Sequence, residues 1–282
     1  MDINKVGIVG MGTMGIAIAG LCIQHGLDVI ANDIDTELLN RSMGKLRRSF
    51  ENRVNRGEMT EERKEEALAH IRAVNHLEEI PGCHIVIEAI IERLDAKKLL
   101  FEKLDVICNP ETILASNTST LPVTQLAETT KRPEKVIGTH FLAPRPIGKL
   151  LELVKTEICS EETLQSVIAF SQKIERETII VPDIPGFIVN RIYGSYILEC
   201  LRLLEADYVP MESLDKAAVI GIGMPISPLR YLDINGLDTV LLAMQSIYEQ
   251  TADPRFEPPE LLKKMVADGQ LGLITKKGFY DY

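Results

Sequence analysis

Val6-Gly7-Ile8-Val9-Gly10-Met11-Gly12-Thr13-Met14-Gly15 is the stretch that decides the fold. A short apolar strand runs into G-x-G-x-x-G, and an apolar helical pattern over 13–25 follows at once. Glycines at these spacings let the chain turn tightly from strand into helix. They also bring backbone N–H groups up to a pyrophosphate, whose charge the helix N-terminus stabilises. The same motif also occurs as a turn that only packs a helix on a strand. Here the context favours a dinucleotide. A second apolar run over 28–31 leads into Asn32-Asp33, and Asp33 stands 23 residues after Gly10. A carboxylate there accepts ribose hydroxyls and repels a 2′-phosphate, which favours NAD over NADP. Asp33, like its neighbour Asp35, has the plainer alternative of a strand-end or helix-capping residue.

Outward from this unit, short apolar runs over 84–88, 112–115, 136–141, 150–154 and 178–181 alternate with amphipathic stretches that include 37–55 and 96–108. Such alternation implies βαβ units and a parallel sheet covered on both faces. Pro182, Pro185 and Gly186 then break the pattern. Residues 187–208 read as one long helix, and the remainder is helical with loops such as 221–228. The expected fold is α/β: a Rossmann-type doubly wound sheet over 1–185, followed by an all-α domain over 186–282.

Composition narrows the function classes. A net charge of −10 argues against nucleic acid or an anionic membrane surface as partner. No apolar run approaches the roughly 20 residues that span a bilayer. Strand pattern begins almost at Met1, which leaves no room for a signal peptide. The five cysteines are odd in number and widely spaced, without a C-x-x-C pair or metal-ligand spacing, so reduced thiols in the cytoplasm are expected.

The candidate chemistry lies in two apolar runs. His140 closes Val136-Ile137-Gly138-Thr139-His140-Phe141, and Glu152 sits inside Leu150-Leu151-Glu152-Leu153-Val154. A carboxylate in such a run must find a partner, because an unpaired buried charge is costly. Histidine is the natural one, and the two would act as base and orienter for a hydroxyl proton. The spacing alone equally allows a histidine satisfied by backbone and a glutamate on an edge strand.

Taken together, several segments decide between these. Gly10–Gly15, Glu88-Ala89-Ile90-Ile91-Glu92, Ala115-Ser116-Asn117-Thr118-Ser119 and Gly138-Thr139-His140-Phe141 come first. Pro185-Gly186-Phe187-Ile188-Val189-Asn190-Arg191, Gly236-Leu237-Asp238 and Gly278-Phe279-Tyr280 follow. In this order and spacing the chain resembles the 3-hydroxyacyl-CoA dehydrogenase family, most closely its bacterial 3-hydroxybutyryl-CoA dehydrogenases, over almost its whole length. The resemblance implies NAD-dependent oxidation of the 3-hydroxyl of a short acyl-coenzyme A, or the reverse. It implies His140 as catalytic base with Glu152 as its partner, and Ser119 and Asn190 as hydrogen-bonding groups for the substrate oxygen or the histidine. The implied cofactor contacts are Gly10, Met11, Gly12, Thr13, Met14, Gly15, Asp33, Glu92, Lys97, Asn117 and Ser119. Read from the residues alone, Glu92 and Lys97 are solvated surface charges. Ser119, at a strand's C-terminal end, and Asn190, at a domain junction, stand where ligands bind, with a helix cap as the plainer alternative for each.

The stretch 41–56 carries Arg41, Lys45, Arg47, Arg48, Arg53 and Arg56 against one acid, Glu51. Charge runs are usually solvated helix faces. The alternative is a face for the phosphates of coenzyme A. Ser49 and Arg56, two helical turns apart, share a side and match the family's coenzyme A positions. A homodimer through the C-terminal helices is also expected: 187–208 and 240–248 are rich in apolar residues and the resemblance implies dimerisation through this region, with a self-contained helical core as the alternative.

Several positions depart from the family. Leu142-Ala143-Pro144 replaces an aromatic-asparagine-proline continuation, and Arg145 and Gly148 replace valine and methionine. Pro225-Ile226-Ser227-Pro228 stands for Pro-Met-Gly-Pro. Leu273-Ile274-Thr275 lacks the usual lysine, which Lys276 could replace. These changes bear on which acyl group fits. Two rival readings stay open: a dehydrogenase of a free hydroxy acid that uses Arg145, and a dinucleotide-binding protein without turnover.

Overall fold

The apolar runs become strands of one eight-stranded sheet in a computed structural model that describes residues 1–142 and 148–282. The strands are β1 (Lys5–Val9), β2 (Asp28–Asn32), β3 (Ile71–Val74), β4 (Ile85–Glu88), β5 (Ile113–Ser116), β6 (Val136–Phe141), β7 (Leu150–Lys155) and β8 (Glu177–Pro182). Their order is β3-β2-β1-β4-β5-β6-β7-β8. Every residue of β4, β5 and β6 is buried, which is why these strands read as unbroken apolar runs rather than alternating ones. Helices α1 (Thr13–Gln24), α2 (Thr36–Asn55), α3 (Glu61–Ala69), α4 (Leu94–Ile107), α5 (Val123–Ala127) and α6 (Glu161–Lys173) connect them. Ile8, Ile18, Cys22, Ile87, Ile137 and Phe170 belong to the resulting core.

Two features differ from the expectation. β3 has only four residues, two of them exposed, so no apolar run marked it. The sheet is also mixed: β7 runs antiparallel to β6, and β8 follows β7 in parallel. Parallel neighbours need a crossover of a dozen or more residues. Only residues 142–149 separate β6 from β7, so the chain has to reverse.

The chain divides into two units, Met1–Asp183 and Ile184–Tyr282. The second is helical, with α7 (Val189–Glu205), α8 (Met211–Lys216), α9 (Pro228–Asn235), α10 (Leu237–Thr251) and α11 (Glu260–Ala267). A π-helical turn, Ala217–Gly221, follows α8. The long helix starts later than expected, because Phe187 lies in the left-handed region at φ +47. Ile197, Leu201, Leu232, Ile247 and Phe256 form this unit's core. Among the described residues no helix is long and apolar enough to cross a membrane.

Asp183, the last residue of the first unit, holds the start of α5. Its carboxylate accepts the N–H of Val123 (3.0 Å) and of Thr124 (2.7 Å) and the Thr124 hydroxyl (2.6 Å). These bonds satisfy amides that a helix N-terminus leaves without intrahelical partners. Asp183→Ala should cost about 1–2 kcal/mol, the usual worth of an N-cap. In a thermal melt the first unit's transition should fall by a few degrees, and an unchanged midpoint would show that water replaces the carboxylate at no cost.

Candidate functional site

The strand order reverses between β1 and β4, and in open α/β sheets the crevice at such a point, beyond the strands' C-terminal ends, is where ligands bind. The glycine loop lies there. Gly10 has φ +96, and a Cβ on it would stand 2.6 Å from the carbonyl oxygen of Ala89, so only glycine fits. A Cβ on Gly15 would come within 1.9 Å of the Gly10 carbonyl oxygen, so α1 can pack this close only without one. At Gly12 the space around a Cβ is open to 4 Å. No side chain caps α1, and its first turn has no acidic residue, while Thr13 is exposed and Met14 half-buried. Open space, an uncapped helix N-terminus and the lack of a competing carboxylate together fit the pyrophosphate of a dinucleotide.

Asp33 braces this loop. Its Oδ2 accepts the Met11 N–H (2.8 Å) and its Oδ1 the Asp35 N–H (3.0 Å). Each carboxylate oxygen keeps further acceptor capacity for ribose hydroxyls. The helix cap is Asp35, which accepts the N–H of Leu38 at the start of α2. Ser42 fixes the loop from the other side by donating to the Met11 carbonyl (2.6 Å), a contact that nothing in the sequence pattern signalled.

His140 and Glu152 stand directly opposite each other in the antiparallel β6–β7 pair. His140 Nδ1 lies 2.7 Å from Glu152 Oε2, and the two side chains are 8% and 0% exposed. Cross-strand partners on one face have Cβ atoms about 4.5–5.5 Å apart, so backbone register alone brings the side chains together. Glu152 is therefore no edge-strand surface residue. His140 is next to last in β6, at the same end of the sheet as the glycine loop.

Ser119 is half-buried in the loop after β5 and is not the cap of α5, since Asp183 fills that role. Glu92 Oε1 accepts from the Thr118 hydroxyl (2.6 Å), the Ser119 N–H (2.8 Å) and the Ser119 hydroxyl (3.3 Å). Burial works to raise the Glu92 carboxyl, but the Lys97 charge and these donors outweigh it and hold it below the usual carboxylate range. Lys97 is far from a solvated surface charge. Its side chain is 1% exposed, with Nζ 2.5 Å from Glu88 Oε1 and 3.1 Å from Glu92 Oε2. Glu88 is a buried member of this network that the sequence did not single out, although the reasoning applied to Glu152 fits it equally: a glutamate ending the apolar run Ile85-Val86-Ile87. Burial pushes its carboxyl above the usual range, against the pull of Lys97. Asn117 joins neighbouring strands, its N–H donating to the Glu88 carbonyl and its Oδ1 accepting the Phe141 N–H.

The remaining candidates stand on other elements. Ser49 is exposed on α2, and Arg56, exposed at its C-terminal end, pairs with Glu58 at 2.8 Å. Arg41, Lys45, Arg47 and Arg48 are exposed on the same helix, whose buried face is Leu39, Ser42, Leu46 and Phe50. Asn190 is the second residue of α7 rather than its cap. Lys276 is exposed at φ +58. Ala143, Pro144 and Arg145 lie outside the described residues.

Comparison with known proteins supplies the family. Residues 5–184 match the NAD binding domain of 3-hydroxyacyl-CoA dehydrogenase, and residues 186–282 match its C-terminal domain. The chain is 37% identical over 280 residues to a 3-hydroxybutyryl-CoA dehydrogenase of Bradyrhizobium diazoefficiens, covering 99% of this chain and 96% of that one. It is 33% identical to a 3-hydroxyadipyl-CoA dehydrogenase of Escherichia coli, covering all of this chain and 60% of that one. The crystal structure of (S)-3-hydroxybutyryl-CoA dehydrogenase from Ralstonia eutropha superposes with a TM-score of 0.93 at 37% identity, covering 100% of this chain and 99% of that one. With both halves matched and the glycine loop built for a dinucleotide, the chain belongs to the 3-hydroxyacyl-CoA dehydrogenase family and is an NAD-dependent enzyme of it.

Proposed function

We propose that this dehydrogenase interconverts (S)-3-hydroxybutyryl-CoA, or a similarly short 3-hydroxyacyl-CoA, and the corresponding 3-oxoacyl-CoA. The observation that carries the reading is the buried His140–Glu152 pair at the ligand-binding end of the sheet. A carboxylate only accepts, so Nδ1 carries the proton and Nε2 is the basic nitrogen. In oxidation Nε2 takes the proton of the C3 hydroxyl while Glu152 stabilises the imidazolium. In reduction the same nitrogen returns the proton to the carbonyl oxygen. NAD, when bound, supplies the hydride acceptor.

Ser119 and Asn190 hydrogen-bond the substrate oxygen or the histidine. Residues 10–15, Asp33, Asn117 and Glu92 hold the cofactor, with Lys97 acting from beneath Glu92. Ser49, Arg56 and the basic face of α2 meet the phosphates of coenzyme A. Residues 186–282 form the substrate and dimerisation domain. A short acyl group is favoured by the 3-hydroxybutyryl relatives, which are more similar than the 3-hydroxyadipyl one. We place the enzyme in the cytoplasm as a homodimer. Its five cysteines are free, as suits a reducing compartment, and Ile192 on α7 and Leu242 on α10 expose apolar surface for a second copy.

Replacing His140 by Ala should lower kcat with acetoacetyl-CoA and NADH by about 100-fold or more. His140→Gln, which can still donate to the buried Glu152, should fold normally and lose as much; near-normal turnover in either variant refutes the mechanism. Across acyl-CoA chain lengths and free 3-hydroxy acids, kcat/KM should peak at the four-carbon thioester, and a preference for free acids would move the assignment to the Arg145 reading. Combining Ser49→Ala with Arg56→Ala should raise KM for acetoacetyl-CoA about 3–10-fold, as expected for lost charge-assisted phosphate contacts. The KM for acetoacetyl-pantetheine, which lacks the nucleotide phosphates, should not change; equal effects on both would rule out a phosphate contact.

A further inference from the structure

Between the glycine loop and the Ser119 loop runs a chain of charged contacts. It begins at Glu88, fully buried at the end of β4, where Oε1 accepts the Lys97 ammonium (2.5 Å) and the Ile90 N–H (2.7 Å), and Oε2 accepts the Ser116 hydroxyl (2.6 Å). Lys97 spans from there to Oε2 of Glu92 at 3.1 Å. Glu92 divides its two oxygens: Oε2 faces Lys97, and Oε1 holds the Thr118 hydroxyl and the amides of Ser119 and Thr120. Two carboxylates thus share one ammonium, and an ion cluster of this kind is weak evidence for stability, since apolar replacements of buried pairs are often neutral or better.

Its geometry has a clearer use. Glu92 belongs to a loop, and by itself a glutamate there has several rotamers to choose among. Lys97 removes that freedom by holding one oxygen, and Lys97 in turn is held by a carboxylate on a fully buried strand. The rigid end of this series is Glu88 and the other end is the backbone of Ser119. Misplacing a reacting group by about 1 Å costs up to about 100-fold in rate, so such bracing has kinetic value.

We propose that Glu88 is a positioning residue for the dehydrogenation, acting through Lys97 and Glu92 to set where the amide and hydroxyl of Ser119 stand. The inference rests on the reading of Ser119 as a group that meets the substrate oxygen or the histidine. Glu88 is fully buried, so its effect travels through Lys97 and Glu92 to Ser119.

The test is a double-mutant cycle on kcat and KM with acetoacetyl-CoA and NADH, using Glu88→Gln, Ser119→Ala and the double variant. Glutamine keeps acceptor and donor for Ile90 and Ser116, so the strand end stays paired. Glu88→Gln should lower kcat about tenfold with KM for NADH within about twofold of wild type. In the Ser119→Ala background the same change should cost less than about twofold. Combining Glu88→Gln with Lys97→Met, which leaves no unpaired ammonium, should reproduce both results, and it carries the test if Glu88→Gln alone fails to fold. Losses that multiply in full overturn the relay while leaving the role of Ser119 intact. A wild-type kcat for Glu88→Gln also overturns it. A wild-type kcat for Ser119→Ala instead sinks the reading of Ser119, and the relay with it.

Discussion

A carboxylate placed inside a β-sheet must be paired, because leaving it buried and alone costs several kcal/mol, a large share of what holds a domain together. Glu152 is in that position: it is fully buried in the middle of β7, and His140 answers it from the facing residue of β6. The pairing depends on strand direction. Antiparallel neighbours put these two residues directly across from each other, and a slip of one position would turn either side chain to the opposite face. Because both sit on strands, the ring is aimed by the sheet itself, which is stiffer than any loop. The reversal of β7 relative to β6 is thus a requirement of this pairing as much as of the short connection that precedes it.

The same device recurs at the end of the sheet where β1, β2 and β4 finish. Asp33, Glu88 and Glu152 each follow or interrupt an apolar run, and each holds a neighbouring element in place. Asp33 ties down the glycine loop through the Met11 amide. Glu88 gathers Lys97, Ser116 and the Ile90 amide. These carboxylates are buried and acceptor-rich, so they organise the polar groups that surround the crevice, while the apolar residues of the strands supply the burial that keeps the sheet folded. Their contribution lies in the exactness of the arrangement more than in net stability.

The helical unit shows a fourth instance. Asp233 on α9 is fully buried, and its carboxylate accepts the amides of Phe279 (2.8 Å) and Tyr280 (2.9 Å) and the Tyr282 hydroxyl (3.0 Å). A Cβ on Gly278 would stand 2.0 Å from its Oδ1, so the tail reaches this carboxylate only because that position is glycine. The C-terminal residues are in this way bound into the structure of the unit to which they belong.

The primary sequence determined the parts of this protein whose physics is local. G-x-G-x-x-G between an apolar strand and an apolar helix sets the turn, since close backbone approach at Gly10 and Gly15 excludes any side chain whatever the rest of the chain does. Alternating apolar runs likewise announced the α/β sheet, and a glutamate within one announced that it needed a partner. Tertiary structure decided what depends on long-range pairing: the direction of β7, the four-residue edge strand β3, and which groups meet which carboxylate. Lys97 shows the limit most plainly. On the page it is one more charge on a helix, and it becomes a buried hub only once β4 and the loop before α4 bring Glu88 and Glu92 to either side of it. Helical and strand periodicity carry information about burial, which is a property of one residue, but an ion pair is a property of two, and only the fold brings the second one near.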